Sequence, residues 1–217
     1  MALKVAILIS GRGSNMVALA DYAAQDEVDC EIVAVIADCE AAGLAIAAER
    51  GLKAICVNRQ DYPDKTAHEE AVISAIDHAG ADAVFLAGYM RLLSAAFCHY
   101  YQDKLFNIHP SLLPRHKGLD THARAIAAGD RRHGCSVHLV TEDMDDGLVL
   151  AQRDVPIMAD DTPDSLAARV LVQEHQLYPA LLGALSSGLL AIRDGVPEMK
   201  IGILPGLIAG KKTQWPM

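Results

Sequence analysis

The sequence predicts an α/β protein: a Rossmann-like, mostly parallel sheet flanked by helices, with an antiparallel extension toward its C-terminal end. Three observations lead there. Over the first hundred residues, short apolar runs rich in β-branched side chains alternate with Ala-rich stretches of helical spacing. A glycine-rich turn joins the first run to the first such stretch. Farther on, two strand-like runs are separated by only a short acidic loop, which suits antiparallel pairing and leaves no room for a crossover.

Each element has its own signal. Val5–Ile9 is apolar throughout and ends at Ser10-Gly11; Ile32–Ile36, Ala54–Val57 and Ala83–Ala87 are similar buried-strand runs. Asn15–Ala24 follows the glycine turn as a helix, and Ala41–Arg50 stops at Gly51, a natural residue just past a helix end. Pro63–His78 begins with proline and ends before Gly80. Ser94–Tyr101 reads as a short helix and Leu105–Ile108 as a short strand running into His109-Pro110. Thr121–Ala128 is helical, Ser136–Thr141 and Leu148–Val155 are the antiparallel pair, and Thr162 with Pro163 starts a long helix to Ser187. Residues 1–190 are expected to form one domain, and 191–217, with Gly202, Pro205, Gly206, Gly210 and Pro216, a loosely structured tail.

Composition narrows the function classes. A chain of 217 residues with 52% hydrophobic and 22% charged residues has enough apolar surface for a core, so disorder is not its default state. Its formal charge of −9 argues against nucleic-acid binding through a general basic field. No secretory signal or membrane span is visible, because the opening apolar run has only the length of a strand. The five cysteines (Cys30, Cys39, Cys56, Cys98 and Cys135) are scattered, with no C-x-x-C pair. They read as small buried hydrophobes of a cytoplasmic protein.

Two polar constellations fall at strand ends, where open parallel sheets bind ligands. Ser10-Gly11-Arg12-Gly13-Ser14-Asn15 lacks the Gly-Lys-Ser/Thr of a Walker loop and carries Met16 where a dinucleotide fingerprint has its third glycine. A single phosphate on free backbone N–H groups suits it better. Asp38 imitates the ribose-binding acid of that fingerprint, which keeps an NAD-dependent oxidoreductase as a rival reading. In Asn107-Ile108-His109 the outer side chains share one face of an extended chain. An amide donor beside an imidazole suits acyl chemistry, one steadying an oxyanion while the other moves protons. His138 is a weaker candidate on its strand. His68, His78, His99, His116, His122, His133 and His175 read as surface or capping residues, and none has metal-ligand spacing, so no metal is expected. The loop Glu142–Gly147 supplies a carboxylate, with Asp143, Asp145 and Asp146 all open as choices; a carboxylate near an imidazole raises its pKa.

These residues also form a pattern. Gly11-x-Gly13-Ser14-Asn15 is followed by Leu86-Ala87-Gly88-Tyr89-Met90-Arg91-Leu92-Leu93 and then Asn107-Ile108-His109-Pro110-Ser111-Leu112-Leu113-Pro114. After them come Gly118-Leu119-x-Thr121-His122 and His138-x-Val140-Thr141-x-x-Met144-Asp145-x-Gly147. Over residues 3–190 the chain resembles the folate-dependent phosphoribosylglycinamide formyltransferase family. The resemblance implies 10-formyltetrahydrofolate as co-substrate, with Asn107, His109 and Asp145 as catalytic residues. It implies contacts from Gly13, Ser14, Asn15 and Glu174 to the ribonucleotide substrate. It further implies Met90, Arg91, Leu92 and Leu93, with Asn107, on the folate, and Lys65 on the folate side. Asp146 and Leu148 depart from the small residue and proline common after the family's aspartate, which bears on the loop's shape. Partners are expected to be small molecules only, acting on a monomer or homodimer. Formyltetrahydrofolate hydrolases carry a further domain before the first strand, methionyl-tRNA formyltransferases need a basic face and an added C-terminal domain, and sugar-nucleotide formyltransferases usually continue beyond the core; all three fit less well.

Overall fold

Alternation along the first strand sets the layering. In the computed structural model, which describes residues 1–199, β1 (Leu3–Ile9) turns Val5, Ile7 and Ile9 to one face and Ala6 and Leu8 to the other, and all five are fully buried. A strand buried on both faces must lie in the middle of a covered sheet. β1 pairs in parallel with β2 (Cys30–Ala37) on one side and β4 (Ala83–Leu86) on the other. The sheet continues outward through β3 (Ala54–Cys56) at one edge and through β5 (Leu105–His109) on the other side, again in parallel. β6 (Arg132–Leu139) and β7 (Val149–Pro156) then add in antiparallel sense, giving the order β3-β2-β1-β4-β5-β6-β7.

Among the described residues, six α-helices cover the sheet. α1 (Ser14–Ala23), α2 (Ala42–Glu49) and the long α6 (Pro163–Ser186) pack on the face of Val5, Ile7 and Ile9, and α5 (Thr121–Ala127) leans Ile126 on that side. α3 (Lys65–Ala79) and α4 (Ala95–Tyr100) cover the opposite face with Val72, Ile76 and Phe97. Local chemistry sets their ends. The Asp64 side chain accepts from Ala67 N, so α3 starts two residues after Pro63, and Gly80 closes it in the left-handed region. Thr162 and Ser165 form a reciprocal capping box at the start of α6.

Two expectations need correction. β6 begins at Arg132, four residues ahead of the expected Ser136, because its ladder with β7 extends to Arg132 opposite Pro156. Residues 190–199 are not loose: β8 (Leu190–Arg193) and β9 (Val196–Met199) form a hairpin, turned by Asp194 and Gly195, both at positive φ. An Asp-Gly pair with both residues left-handed is a hairpin turn that matches strand twist. The rest of the expected tail, 200–217, lies outside the described residues.

Candidate active site

The chain reverses its winding direction between β1 and β4, and the loops after these strands open the crevice where ligands of such sheets bind. Ser10 holds them together: its N–H donates to the Gly88 carbonyl at 3.1 Å, and its hydroxyl accepts from Met90 N at 2.9 Å.

The glycine turn lies on one side. Gly13 precedes α1 with φ +75°, and a Cβ there would press on Met16 Cε and on the Gly43 backbone. Ser14 is exposed while Asn15 is buried. Asn15 Nδ2 donates to Glu174 Oε2 at 2.7 Å, so two expected ribonucleotide contacts from opposite ends of the chain meet here. Burial pushes the Glu174 carboxyl above its ordinary range against the opposing effect of this bond, and Asn15 Oδ1 has no partner among the described residues.

On the other side is a cleft of about 740 Å³. Met90–Leu93, Asn107–Pro110, Gly118–His122, His138 and Val140–Asp145 line it. Met90 and Leu92 are 70% and 61% exposed and form an apolar lip, whereas Leu93 is buried in the core. Arg91 Nε reaches Asp38 Oδ2 at 2.5 Å. Burial pushes Asp38 up, but the Ser10 hydroxyl and the Arg91 guanidinium outweigh it and hold the carboxyl below its usual value. Asp38 is therefore committed to Arg91, which weakens its resemblance to a ribose-binding acid. Lys65 is not among the residues lining the cleft; its ammonium lies 3.7 Å from Glu69 Oε1, one helical turn along α3.

At the floor of the cleft, strand pairing assembles a polar cluster. Asn107 on β5 stands opposite His138 on β6, and a ladder irregularity between Val137 and His138 falls beside it. His138 Nδ1 donates to the Leu139 carbonyl at 2.8 Å, which leaves Nε2 of the neutral ring to accept from Asn107 Nδ2 at 3.1 Å. His109 Nε2 faces the His116 carbonyl at 3.1 Å and must donate to it, so Nδ1 is the nitrogen that faces Asp145 Oδ2, at 3.4 Å. Asp145, at φ +51°, is anchored by a 2.8 Å bond from Gly118 N to Oδ2, and its Oδ1 lies 3.6 Å from His138 Nε2. Asp143 does not reach this cluster among the contacts described, and Asp146 instead pairs with Lys117 at the surface.

Electrostatics correct one expectation. Burial holds the His109 imidazole below its ordinary pKa, outweighing the opposite pull of the His116 carbonyl and the Asp145 charge. Burial also pushes Asp145 up, yet its hydrogen bonds and neighbouring imidazoles keep it below the usual carboxylate value. The 3.6 Å approach of His138 contributes to this only when that ring is protonated, so the Gly118 N–H is the firmer cause. The site thus pairs a carboxylate with an imidazole that burial keeps uncharged.

Two participants were undervalued by sequence reasoning. His138 shared a strand face with Ser136 but had no sequence sign of its pairing with Asn107. Gly118 stood inside a quoted motif without a role. The expected surface histidines also divide: His68 and His133 are buried, and His116, His122 and His175 are half-buried. Among the described residues no group of three or more His, Cys, Asp or Glu side chains is placed to hold a metal ion. No helix of the described residues is long and apolar enough to cross a membrane.

Comparison with known proteins identifies similar chains. Residues 3–182 match the family model described as formyl transferase. A phosphoribosylglycinamide formyltransferase of Escherichia coli is 38% identical over 193 residues, 88% of this chain and 91% of that protein. The phosphoribosylglycinamide formyltransferase structure from Coxiella burnetii superposes with a TM-score of 0.87 at 38% identity, covering 92% of this chain and 94% of the other. The one from Brucella melitensis is 49% identical with a TM-score of 0.82, covering 87% and 97%.

Proposed function

Because the chain belongs to the formyl transferase family, we propose that it is a phosphoribosylglycinamide formyltransferase of purine biosynthesis, with 10-formyltetrahydrofolate as its formyl donor. The supporting observation is the cluster of Asn107, His109, His138 and Asp145 on the floor of an apolar-lipped cleft, next to a glycine turn suited to phosphate. The relatives' name supports phosphoribosylglycinamide as the acceptor, the sequence resemblance supports 10-formyltetrahydrofolate as the donor, and the geometry offers a site of suitable character for each.

The ribonucleotide phosphate binds on the backbone N–H groups at Gly13 and Ser14, while Asn15 and Glu174 take the ribose and glycinamide side. The pterin lies in the cleft along Met90–Leu93, with Arg91 toward the anionic tail. Lys65 joins the folate side only if its side chain leaves Glu69. The glycinamide amine attacks the formyl carbon, forming a C–N bond as the carbonyl becomes an oxyanion. One Asn107 amide hydrogen is committed to His138, and the second is free to meet that oxygen. The growing negative charge adds to that of Asp145 and draws a proton onto His109 Nδ1, which burial alone disfavours. That proton comes from the attacking nitrogen and passes to folate N10 as the bond from carbon to N10 breaks. No covalent enzyme intermediate and no metal ion enter this scheme, and the protein works in the cytoplasm on small molecules.

The test is an assay with phosphoribosylglycinamide and 10-formyltetrahydrofolate, following both the formylated ribonucleotide and the deformylated folate. One-to-one formation of the two products is expected. Deformylation at the same rate without the amine acceptor would make the protein a hydrolase instead.

A further inference from the structure

Asp130 lies between α5 and β6 and is not among the cleft-lining residues, yet its side chain is only 7% exposed. Its Oδ2 meets His116 Nε2 at 2.7 Å, and its Oδ1 takes the Arg115 guanidinium. Those two residues form the loop after Pro114, in which His116 adopts φ +54°, a conformation that non-glycine residues seldom hold without external support. The Ser111 hydroxyl braces the same loop by donating to the Arg115 carbonyl at 2.6 Å. It is the His116 carbonyl that receives His109 Nε2. Carbonyl and carboxylate both only accept, but the His116 contact is a 3.1 Å hydrogen bond while Nδ1 approaches Asp145 only to 3.4 Å, so the neutral ring carries its proton on Nε2.

We propose that Asp130 is a positioning residue for the transfer reaction: by gripping His116 and Arg115 it keeps the His116 carbonyl on His109 Nε2 and so dedicates Nδ1 to Asp145 and the reacting formyl group. The inference rests on the formyl-transfer reading above. Asp130 lies outside the cleft lining; it acts through the backbone carbonyl of His116, a residue whose side chain it also binds. The groups facing His109 are Asp145, His138, Arg124 and His122, and those facing Asp130 are Arg115 and His116, with the His133 ring against His116. None of the others bonds to Nε2 of His109, so loss of the grip leaves that nitrogen without its designated acceptor.

The experiment is nitrogen-15 NMR of histidine-labelled full-length protein, with steady-state kinetics on the same samples. The native protein should show neutral His109 protonated at Nε2. In Asp130→Asn one amide oxygen cannot serve both former donors, and His109 should become a mixture of tautomers. A fall in kcat of about tenfold with both KM values within about twofold is expected, the signature of a misaligned reacting group. His116→Asn tolerates the left-handed backbone but falls short of Asp130, and should reproduce both effects should Asp130→Asn fold poorly. Native tautomer and native kcat in both variants would overturn the proposal. So would parallel loss of kcat and both KM values with a lowered Tm, which marks a general structural role. The tautomer reading needs no substrate: a tautomer shift in a protein that forms no formylated product sinks the transfer reading and keeps the positioning role. Product formation with unshifted tautomers does the reverse.

Discussion

Residue types alone leave Asp143, Asp145 and Asp146 open in the acidic run; the resemblance favours Asp145, and the loop between β6 and β7 sets it apart from Asp146. Asp145 carries φ +51°, and the Gly118 N–H fixes its Oδ2 toward His109 while Asp146 turns to solvent and Lys117. Replacing Asp145 with Asn keeps the size and removes the charge that favours the imidazolium. Turnover should fall about 100-fold, the scale for losing a positioned acid–base partner. Asp146→Asn should leave kcat within about twofold, because exposed ion pairs contribute little. Steady-state kinetics of both variants check the assignment, and the opposite ranking moves the carboxylate one residue along. His109 itself gives a second prediction. Burial lowers its pKa and Asp145 raises it, so NMR titration of the free protein should find a midpoint below the ordinary 6.5, and a lower one in Asp145→Asn. A midpoint that rises in the variant would reverse the sign of the coupling. At this scale the identities of Asn107 and His109 were legible because they share a strand face. His138 was not, because its role depends on cross-strand register, which period-two alternation does not encode.

Elements carry the site by touching at glycines. Gly43 in α2 donates its N–H to the Gly11 carbonyl at 3.0 Å, and a Cβ there would come within 2.9 Å of that same oxygen and 2.6 Å of Ile9 Cδ1. α2 can therefore lie against the glycine turn only with glycine at 43. Gly43→Val should raise KM for the ribonucleotide at least about tenfold, through loss of a close backbone approach, and leave folate binding nearly unchanged. Isothermal titration with each ligand separates the two, and equal weakening of both would show that the turn is not a dedicated phosphate site. Strands were readable from their apolar runs and the start of α6 from its cap: Thr162 accepts from Ser165 N, whereas Asp64, which caps α3, was passed over in favour of Pro63. The β8–β9 hairpin was missed although Asp194-Gly195 signalled it, since four-residue strands carry too little alternation to stand out.

Across the whole molecule, histidines buried in uncharged form make stability depend on pH. His133 is 1% exposed, and burial, aided by His122 and His116 nearby, pushes its pKa down to about 4. A depressed folded-state value means that stability is complete above the unfolded value near 6.5 and is lost as pH falls toward 4. Urea midpoints should drop through that window and drop less in His133→Gln, measured by circular dichroism. An identical pH slope in the variant would assign the loss to other groups. The parallel sheet could be expected from its rhythm of runs; the packing that makes a histidine a liability in acid could not, because it depends on which elements finally enclose the ring.

The position of α6 has a consequence in time. Its Glu174 reaches back to Asn15 on α1, and its Tyr178 hydroxyl meets the carbonyls of Leu86 and Phe106 where β4 and β5 run side by side. A ribosome delivers the glycine turn, both central strands and Asp145 well before it delivers this helix. Until then Val5, Ile7 and Ile9 lack the cover of Leu166, Val170 and Leu177, and the turn lacks its buried acid. The emerging chain therefore holds Asn107, His109 and Asp145 while one face of its sheet is still bare, and the bond between Asn15 and Glu174 forms only when α6 closes over α1.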